Sequence, residues 1–530
     1  VILAIFFSIL KIEMSKRIKL FKYNTIEDHD VNVRKTRLIQ TKKNLRDQFG
    51  KTKHACLKYI PKTKNRAPRR VIVGPGGKPI YYLTIGRLGD HDSLDGEAYK
   101  LCIPAKRDKK YKNMYWAYCV LEKTYILAVK VVPLTLDEST HLYNPKYRTW
   151  REIKMLREVT KLFMKGITPN VPLYYTSLIC NDSRVEDYQN HNIRSYFYNQ
   201  KTLDHITTMI QEIGKMRKDI VGIKYYKDVK KQLDKIYRRY LKSFLQQSIQ
   251  PGMAYSNKSV LMFNEISDYD FNHLMNNAPK FILRKEYILP TAFQILHGLA
   301  AIQKHTEIVH FDLHLSNVLV TEVIPDEYWH YQVGRTNYYI PNQGYIFKLW
   351  DFGRANYLNV DSQQEIKDKI LRQFSRFFRF NAAEYAAALE KTFSKAEYRR
   401  YLYSFDVYRF FSAYHAKLMQ SITKLSTKIS SKTSKKISET KILTESNTET
   451  SKPLHYLTSR QINNLPELEI LKKIIDAAFE DIMYFMINPK IKKHRYQGNA
   501  ANLIKKYFQQ YTSPPDHPDL IINYSKPFAL

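Results

Sequence analysis

The chain has 530 residues, 44% of them hydrophobic, which is enough apolar material for a large core and more than one compact unit. Lys and Arg outnumber Asp and Glu by 86 to 50, a net charge of +36 that draws polyanions and acidic partners over distances set by ionic screening. The four cysteines (Cys56, Cys102, Cys119, Cys180) are scattered, with neither Cys-x-x-Cys nor metal-ligand spacing, which argues against a zinc site and reads as reduced thiols in a cytosolic or nuclear-type compartment.

The apolar opening, Val1 to Leu10, is too short to span a bilayer, and no basic segment precedes it as a signal peptide requires. No other apolar run approaches membrane length, so a soluble protein without a membrane partner is expected. Met14-Ser15-Lys16-Arg17 reads as a more natural start, and residues 1–13 as an over-extended reading frame. Lys and Arg are dense from Lys16 to Arg70 and again from Lys215 to Lys242. A nucleic acid or another polyanion fits as a partner. A lysine-rich surface without such a partner fits equally, because no aromatic–basic motif of a nucleic-acid module occurs.

Two strands joined by a glycine-bearing turn are expected in Leu83-Thr84-Ile85-Gly86-Arg87-Leu88-Gly89 and Gly96-Glu97-Ala98-Tyr99-Lys100-Leu101. Glycines there let backbone N–H groups approach an anion closely. Ile126-Leu127-Ala128-Val129-Lys130-Val131-Val132 is an apolar strand with Lys130 at its centre, where a lysine ordinarily snorkels on its long stem. A helix follows, with Ile153, Leu156, Val159 and Phe163 at three- to four-residue spacing. It carries Glu152 and Glu158, which project about 120° from each other and so cannot share one role. Residues 181–258 form a long insert with helical runs from Ile206 to Met216 and Val229 to Phe244, before a strand from Ser259 to Glu265. Pro290 is expected to open an amphipathic helix whose inner side carries Phe293, Leu296, Leu299 and Ile302.

The chemistry is concentrated in His310-Phe311-Asp312-Leu313-His314-Leu315-Ser316-Asn317 and, downstream, Asp351-Phe352-Gly353. Apolar runs flank both: Ile308-Val309, Val318-Leu319-Val320, and Ile346-Phe347-Lys348-Leu349-Trp350 read as short buried strands that hold the loop ends. An Asp, an Asn five residues on and a second Asp before Gly are the groups that phosphoryl transfer needs. Asp312 would orient an attacking hydroxyl and accept its proton. The amide oxygen of Asn317 and the carboxylate of Asp351 would hold Mg²⁺ against a triphosphate.

In this order, these motifs resemble the protein kinase superfamily over roughly Tyr81 to Phe411. The resemblance implies a bilobal α+β fold, with a small β-rich N-lobe and a larger helical C-lobe, and implies ATP and Mg²⁺ as cofactors. It implies that Lys130 pairs with the α- and β-phosphates and is held by a Glu on the next helix. Glu152 is favoured by its separation from Lys130 and by Arg-Glu-Ile-x-x-Leu, whereas Glu158 is better measured from Thr168-Pro169-Asn170. Gly86, Gly89 and Gly96 would cover the phosphates. The strand ending at Glu265 would enter the hinge that binds adenine, with Asp270 or Asp268 reaching the ribose. Phe405-Asp406-Val407-Tyr408 is matched to the helix whose buried Asp anchors the catalytic loop. Among protein kinases, the loose motifs, Gly-Ile-Thr-Pro-Asn at 166–170 and the long inserts resemble serine/threonine kinases of large cytoplasmic DNA viruses, iridovirus-like ones especially. That points to the host cytosol, with virion association an option.

Departures from the pattern define the alternatives. Phe311 stands where an Arg is usual before the catalytic Asp, and His314 where a Lys is usual after it. No Ala-Pro-Glu follows Asp351, so a peptide-docking platform cannot be read. The expected function is Ser/Thr phosphorylation of protein substrates. The alternatives are a small-molecule kinase of the aminoglycoside or choline type and a pseudokinase scaffold. The expected domain map is a basic extension (1–70), an N-lobe (71–263) containing the insert 181–258, and a C-lobe (264–420) with an excursion at 321–345. A Ser/Thr/Lys-rich linker (421–452) and a helical C-terminal segment (453–530) packed on the C-lobe complete it.

Overall fold

The computed structural model describes residues 31–49, 54–61, 69–74, 82–88, 96–103, 125–184, 187–188, 255–277, 285–325, 327–358, 395–436, 465–487, 497–517, 521–522 and 527–530. Within them the chain is a mixed α+β protein of two units. One takes its residues from Thr36–Lys154 and Leu173–Ile266; the other from residues up to Lys35, Met155–Pro172 and Ser267–Leu530. The first helix, α1 (Val31–Phe49), runs across the first of these boundaries.

The first unit is built on one antiparallel sheet of β1 (Cys56–Ile60), β2 (Arg69–Val73), β3 (Tyr82–Leu88), β4 (Glu97–Ile103), β5 (Tyr125–Thr135), β6 (Tyr174–Cys180) and β7 (Tyr255–Glu265), in the order β1-β2-β3-β4-β5-β7-β6. Its centre is the pair β5–β7, where Val129 lies opposite Phe263 and Val131 opposite Leu261, all fully buried. Such β-branched and aromatic pairs suit a pleated, buried surface. Gly96 is required where β4 begins: its φ is +136°, and a Cβ there would stand 2.6 Å from the Val131 carbonyl oxygen. After β5 the short helix α2 (Leu136–Thr140) is opened by a capping box between Thr135 and Glu138. Then comes α3 (Arg148–Met164).

The two edges of this sheet meet. Ala55 N–H donates to Ile179 O at 3.0 Å, and Cys56 on β1 is disulfide-bonded to Cys180 on β6. Closing the edges removes unpaired strand groups that would otherwise template aggregation. Two sequence expectations are corrected here. Cys56 and Cys180 are paired rather than reduced thiols, and the region 1–70 is not merely a basic extension, since it supplies α1, β1 and the start of β2. The helical runs expected at 206–216 and 229–244 lie outside the described residues.

The second unit has α5 (Lys285–Thr306) at its centre, following β8 (Tyr269–Asp270) and α4 (Phe271–Asn277). Phe293, Leu296, Leu299 and Ile302 of α5 are all buried. Pro290 does not open this helix but lies inside its second turn, after Lys285 has begun it. Proline there removes the N–H that would otherwise donate to Glu286 O, a local cost of about 3 kcal/mol that the rest of this long, buried helix offsets. Next come β9 (Ile308–Val309), β10 (Val318–Glu322), β11 (Tyr328–Val333), β12 (Thr336–Pro341), β13 (Tyr345–Leu349) and β14 (Asn356–Tyr357). The excursion expected at 321–345 is thus a folded hairpin, β11–β12.

The rest of the unit is α6 (Lys395–Lys436), α7 (Pro466–Ile487), α8 (Ala500–Tyr507), β15 (Ile521–Ile522) and β16 (Phe528–Ala529). Helix α6 continues to Lys436, so the linker expected from 421 begins no earlier than residue 437, outside the described residues. Helix α7 packs on α6 through Tyr408 and Phe479, whose rings are 5.5 Å apart, and through the Ser404 hydroxyl, which donates to Asp481 at 2.8 Å. The C-terminal segment is not wholly helical: β15 and β16 both add in parallel to β11.

Candidate active site

In the second unit the candidate residues are placed by two strand pairings. β10 and β13 pair antiparallel with Val318 opposite Leu349, which sets Asn317 beside Trp350, and Trp350 N–H donates to Asn317 O at 2.8 Å. Asp351 follows directly. β9 pairs with β14, fixing both ends of the segment that carries Asp312 and Asp351. Between β9 and a 3₁₀ turn at Leu315–Asn317 runs the loop bearing Asp312.

That loop is held from beneath by a buried carboxylate. Asp406 of α6 accepts the backbone N–H of His310 at 2.8 Å and of Phe311 at 2.9 Å. Burial pushes the Asp406 carboxyl up to about 7, against the pull of those two N–H groups and of Arg409. Phe311 takes a positive φ of 59° and is itself buried, near Phe405. His310 Nε2 donates to Trp350 O at 2.8 Å, tying the Asp312 loop to the residue before Asp351. Burial holds the His310 imidazole below its usual pKa, and therefore neutral at pH 7.

Asn317 Nδ2 donates to Asp312 O at 2.8 Å, which fixes the amide and leaves its oxygen as the ligating type of atom. Asp351 also has left-handed backbone, φ 64° and ψ 72°, with Oδ1 accepting from Gly353 N–H at 3.3 Å. Two non-glycine residues with positive φ flanking one site are the kind of local strain that clusters where geometry serves function. His314 lies within electrostatic reach of Asp312, Arg409, Asp351 and Arg354, and burial lowers its pKa.

Two arginines face Asp312. Arg409 Nη2 is 2.5 Å from Oδ1, with Nη1 donating to Phe311 O at 3.1 Å, and Arg354 Nη1 is 3.5 Å from Oδ2. Sequence reading missed Arg409, which sits 97 residues from Asp312, directly after the Phe405–Tyr408 match that was read for Asp406 alone.

In the first unit, Lys130 Nζ is 2.7 Å from Glu152 Oε1, and both side chains are buried. Glu158 is occupied differently, accepting from the Tyr357 hydroxyl at 2.6 Å. Gly86 lies in β3 opposite Lys100, beside a register irregularity, and Gly96 is explained by its close approach to Val131. Gly89 lies outside the described residues. Glu265 is tied to Leu173: its N–H donates to Leu173 O at 2.8 Å, and Oε2 accepts from Leu173 N–H at 3.2 Å. Asp270 caps the following helix, accepting from His273 N–H at 2.8 Å, and Asp268 accepts from Glu322 N–H at 2.9 Å. The hydrogen bonds of Glu265 and Asp270 therefore give them local structural tasks.

No protein-family model matches the chain. Similarity is found to uncharacterized viral proteins. The protein C717R of African swine fever virus is 23% identical over 206 residues in a Malawi tick isolate, covering 36% of this chain and 26% of that protein. In a Kenyan pig isolate it is 22% identical over 203 residues, with the same coverage. The protein 011L of Invertebrate iridescent virus 3 is 31% identical over 91 residues, 17% of this chain and 11% of that protein. The chain thus spans about a quarter or less of the length of the curated relatives it matches. Among the described residues, no helix is long and apolar enough to cross a membrane.

Proposed function

We propose that this chain is an ATP-dependent protein kinase of the bilobal type, transferring the γ-phosphoryl group to Ser or Thr hydroxyls. The observation that carries the reading is the grouping of Asp312, Asn317 and Asp351 on two loops joined by His310, with the first loop anchored by Asp406. In the proposed reaction the acceptor oxygen attacks the γ-phosphorus. A new O–P bond forms while the bond from phosphorus to the β,γ-bridging oxygen breaks, and ADP departs with that electron pair. The hydroxyl proton passes to Asp312, whose carboxylate also aims the nucleophile. Within the first unit Glu152 pairs with Lys130, the residue that the resemblance makes the cation for the α- and β-phosphate oxygens.

The donor set suits Mg²⁺. An amide oxygen from Asn317 and a carboxylate from Asp351 are hard ligands, and two protein ligands are typical for an ion that keeps water and takes phosphate oxygens. When bound, Mg²⁺ would neutralise negative charge on the triphosphate.

The test is incubation with labelled ATP and a panel of acidic and basic proteins, followed by phosphoamino-acid analysis. Phosphoserine and phosphothreonine are expected. Labelling confined to small hydroxylated or aminated metabolites, or no labelling at all, would overturn the proposal.

A further inference from the structure

Resting on the phosphotransferase reading above, we infer that the acceptor carries an anionic group beside its hydroxyl, and that Arg354 is the residue that recognises it. Both oxygens of Asp312 are engaged by guanidinium groups. A carboxylate so engaged has to yield one oxygen before it can take a proton from a substrate hydroxyl. The two arginines are not equivalent in their hold.

Arg409 is the fixed one. Its side chain is 13% exposed, it approaches Oδ1 at 2.5 Å, and it grips Phe311 O with its other terminal nitrogen. It leaves α6 about one helical turn beyond Asp406, which already holds this loop. A rigid fork with two anchors on one loop sets the carboxylate's position, so Arg409 is a positioning residue. It also places a positive charge beside Asp312, in a chain that has Phe311 and His314 where basic residues would otherwise provide one.

Arg354 is the exchangeable one. Its side chain is 42% exposed and its approach to Oδ2 is 3.5 Å, an ion pair of the kind that contributes little in water. A planar guanidinium at such a place favours carboxylate or phosphate oxygens, which it can take in bidentate fashion. An acidic group arriving next to the acceptor hydroxyl would draw Arg354 from Oδ2. The same step would seat the acceptor and free the oxygen that receives its proton. The net charge of +36 would concentrate acidic proteins around the enzyme. A carboxylate side chain and a phosphorylated side chain share this chemistry, and the experiment separates them.

Four peptides would be compared, each with one Ser acceptor flanked by Glu, Gln, Lys or phosphoserine, with kcat and KM measured for wild type, Arg354→Ala, Arg409→Ala and Arg409→Lys. Melting curves would check that each variant is folded. For wild type, kcat/KM is expected to be about tenfold or more higher with Glu than with Gln, and lowest with Lys. A still higher value with phosphoserine would identify phosphate as the preferred anion. Arg354→Ala should collapse the ratio of Glu to Gln towards one, mainly through KM. Arg409→Ala should lower kcat on every peptide alike, with partial rescue by Arg409→Lys. Equal rates on Glu and Gln peptides, or a preference that survives Arg354→Ala, would overturn the inference and leave the phosphotransferase reading standing. Absence of transfer to any peptide or protein would remove that reading and this inference with it.

Discussion

Asp406 holds Phe311 by its backbone: one carboxylate oxygen takes the Phe311 N–H and the other the N–H of His310. A bulky L-residue at φ 59° is disfavoured by roughly 1–2 kcal/mol, so the loop before Asp312 keeps its shape only because α6 compensates for it. Asp406→Ala should therefore destabilise the protein by about 2 kcal/mol or more, since it orphans two buried N–H groups. The pH dependence follows from the raised carboxyl. With a folded pKa of about 7 against the ordinary 3.8, the folded protein binds more protons than the unfolded chain between those values. The stabilisation from this group is full below about 3.8 and is lost as pH rises towards 7. Urea titrations of wild type and Asp406→Asn at several pH values should show their difference shifting against wild type over that window. A difference that does not vary with pH would count against the buried carboxyl.

The pair Lys130–Glu152 should behave as one unit in turnover. Lys130→Met leaves a buried carboxylate without its ion-pair partner, which costs about 3–5 kcal/mol in comparable cases, so activity must be read alongside a melting curve. Lys130→Met and Glu152→Gln should each impair phosphoryl transfer, and the double variant should be hardly worse than either. Glu158→Gln keeps an acceptor for Tyr357 and should be nearly silent in turnover. The opposite pattern would shift the partnership to Glu158.

Asp312 and Asp351 should separate in kinetics. Asp312→Asn keeps the side-chain shape but removes the proposed proton acceptor, so on that reading kcat should fall by roughly 10²-fold or more. Nucleotide affinity should change little. Asp351→Asn should weaken Mg²⁺-dependent ATP binding as well as turnover, measurable by titrating Mg²⁺ at fixed ATP. Near-normal turnover in Asp312→Asn would refute its assignment as the base.

The bond between Cys56 and Cys180 closes a sequence separation of 124 residues, a loop for which chain entropy assigns stabilisation of about 5 kcal/mol. Reducing agent, or the Cys56→Ala/Cys180→Ala variant, should lower the melting temperature. If both leave it unchanged, the closure of the sheet by β1 and β6 rests on the strand contacts alone.

The residues that sequence made legible are those whose chemistry demands one residue type at one spacing. Asp312, Asn317 and Asp351 lie within short, strand-flanked motifs, and Lys130 stands at the centre of an apolar strand. Helix geometry showed only that Glu152 and Glu158 could not share a role, and the preference for Glu152 came from the resemblance. What stayed hidden was non-local or too short to carry a pattern. Arg409 reaches Asp312 from 97 residues away, and the Cys56–Cys180 pair has no spacing rule. Strands β15 and β16 are two residues each, below the length at which alternation can be seen. Helix α6 runs to Lys436 through Ser and Thr, which have modest helix propensity, so composition alone suggested an earlier end. Asp406 lay between these cases: its position was legible, but its two backbone partners were not.

On the proposed kinase reading, control should not require phosphate on the segment after Asp351-Phe-Gly. An Arg before the base would be the natural grip for such a phosphate, and here that position is Phe311, buried and without a donor on its side chain. Arg409 is directed to Asp312 and Phe311 O, and Arg354, loosely paired with Asp312, is the residue that the acceptor's anion would engage. Of the early hydroxyls in the segment, Tyr357 is buried and donates to Glu158, so a modifying enzyme could not reach it without unfolding β14. Ser362 lies outside the described residues. The expected result is an enzyme active as synthesised. Purified protein would be treated with a broad phosphatase, freed of it, and assayed for its initial rate. The rate should stay within about twofold of the untreated sample, because Phe311 offers such a charge no guanidinium to order it. A drop of about tenfold or more, restored only by autophosphorylation, would show that Arg354 or another basic group has taken over the phosphate grip that Phe311 lacks.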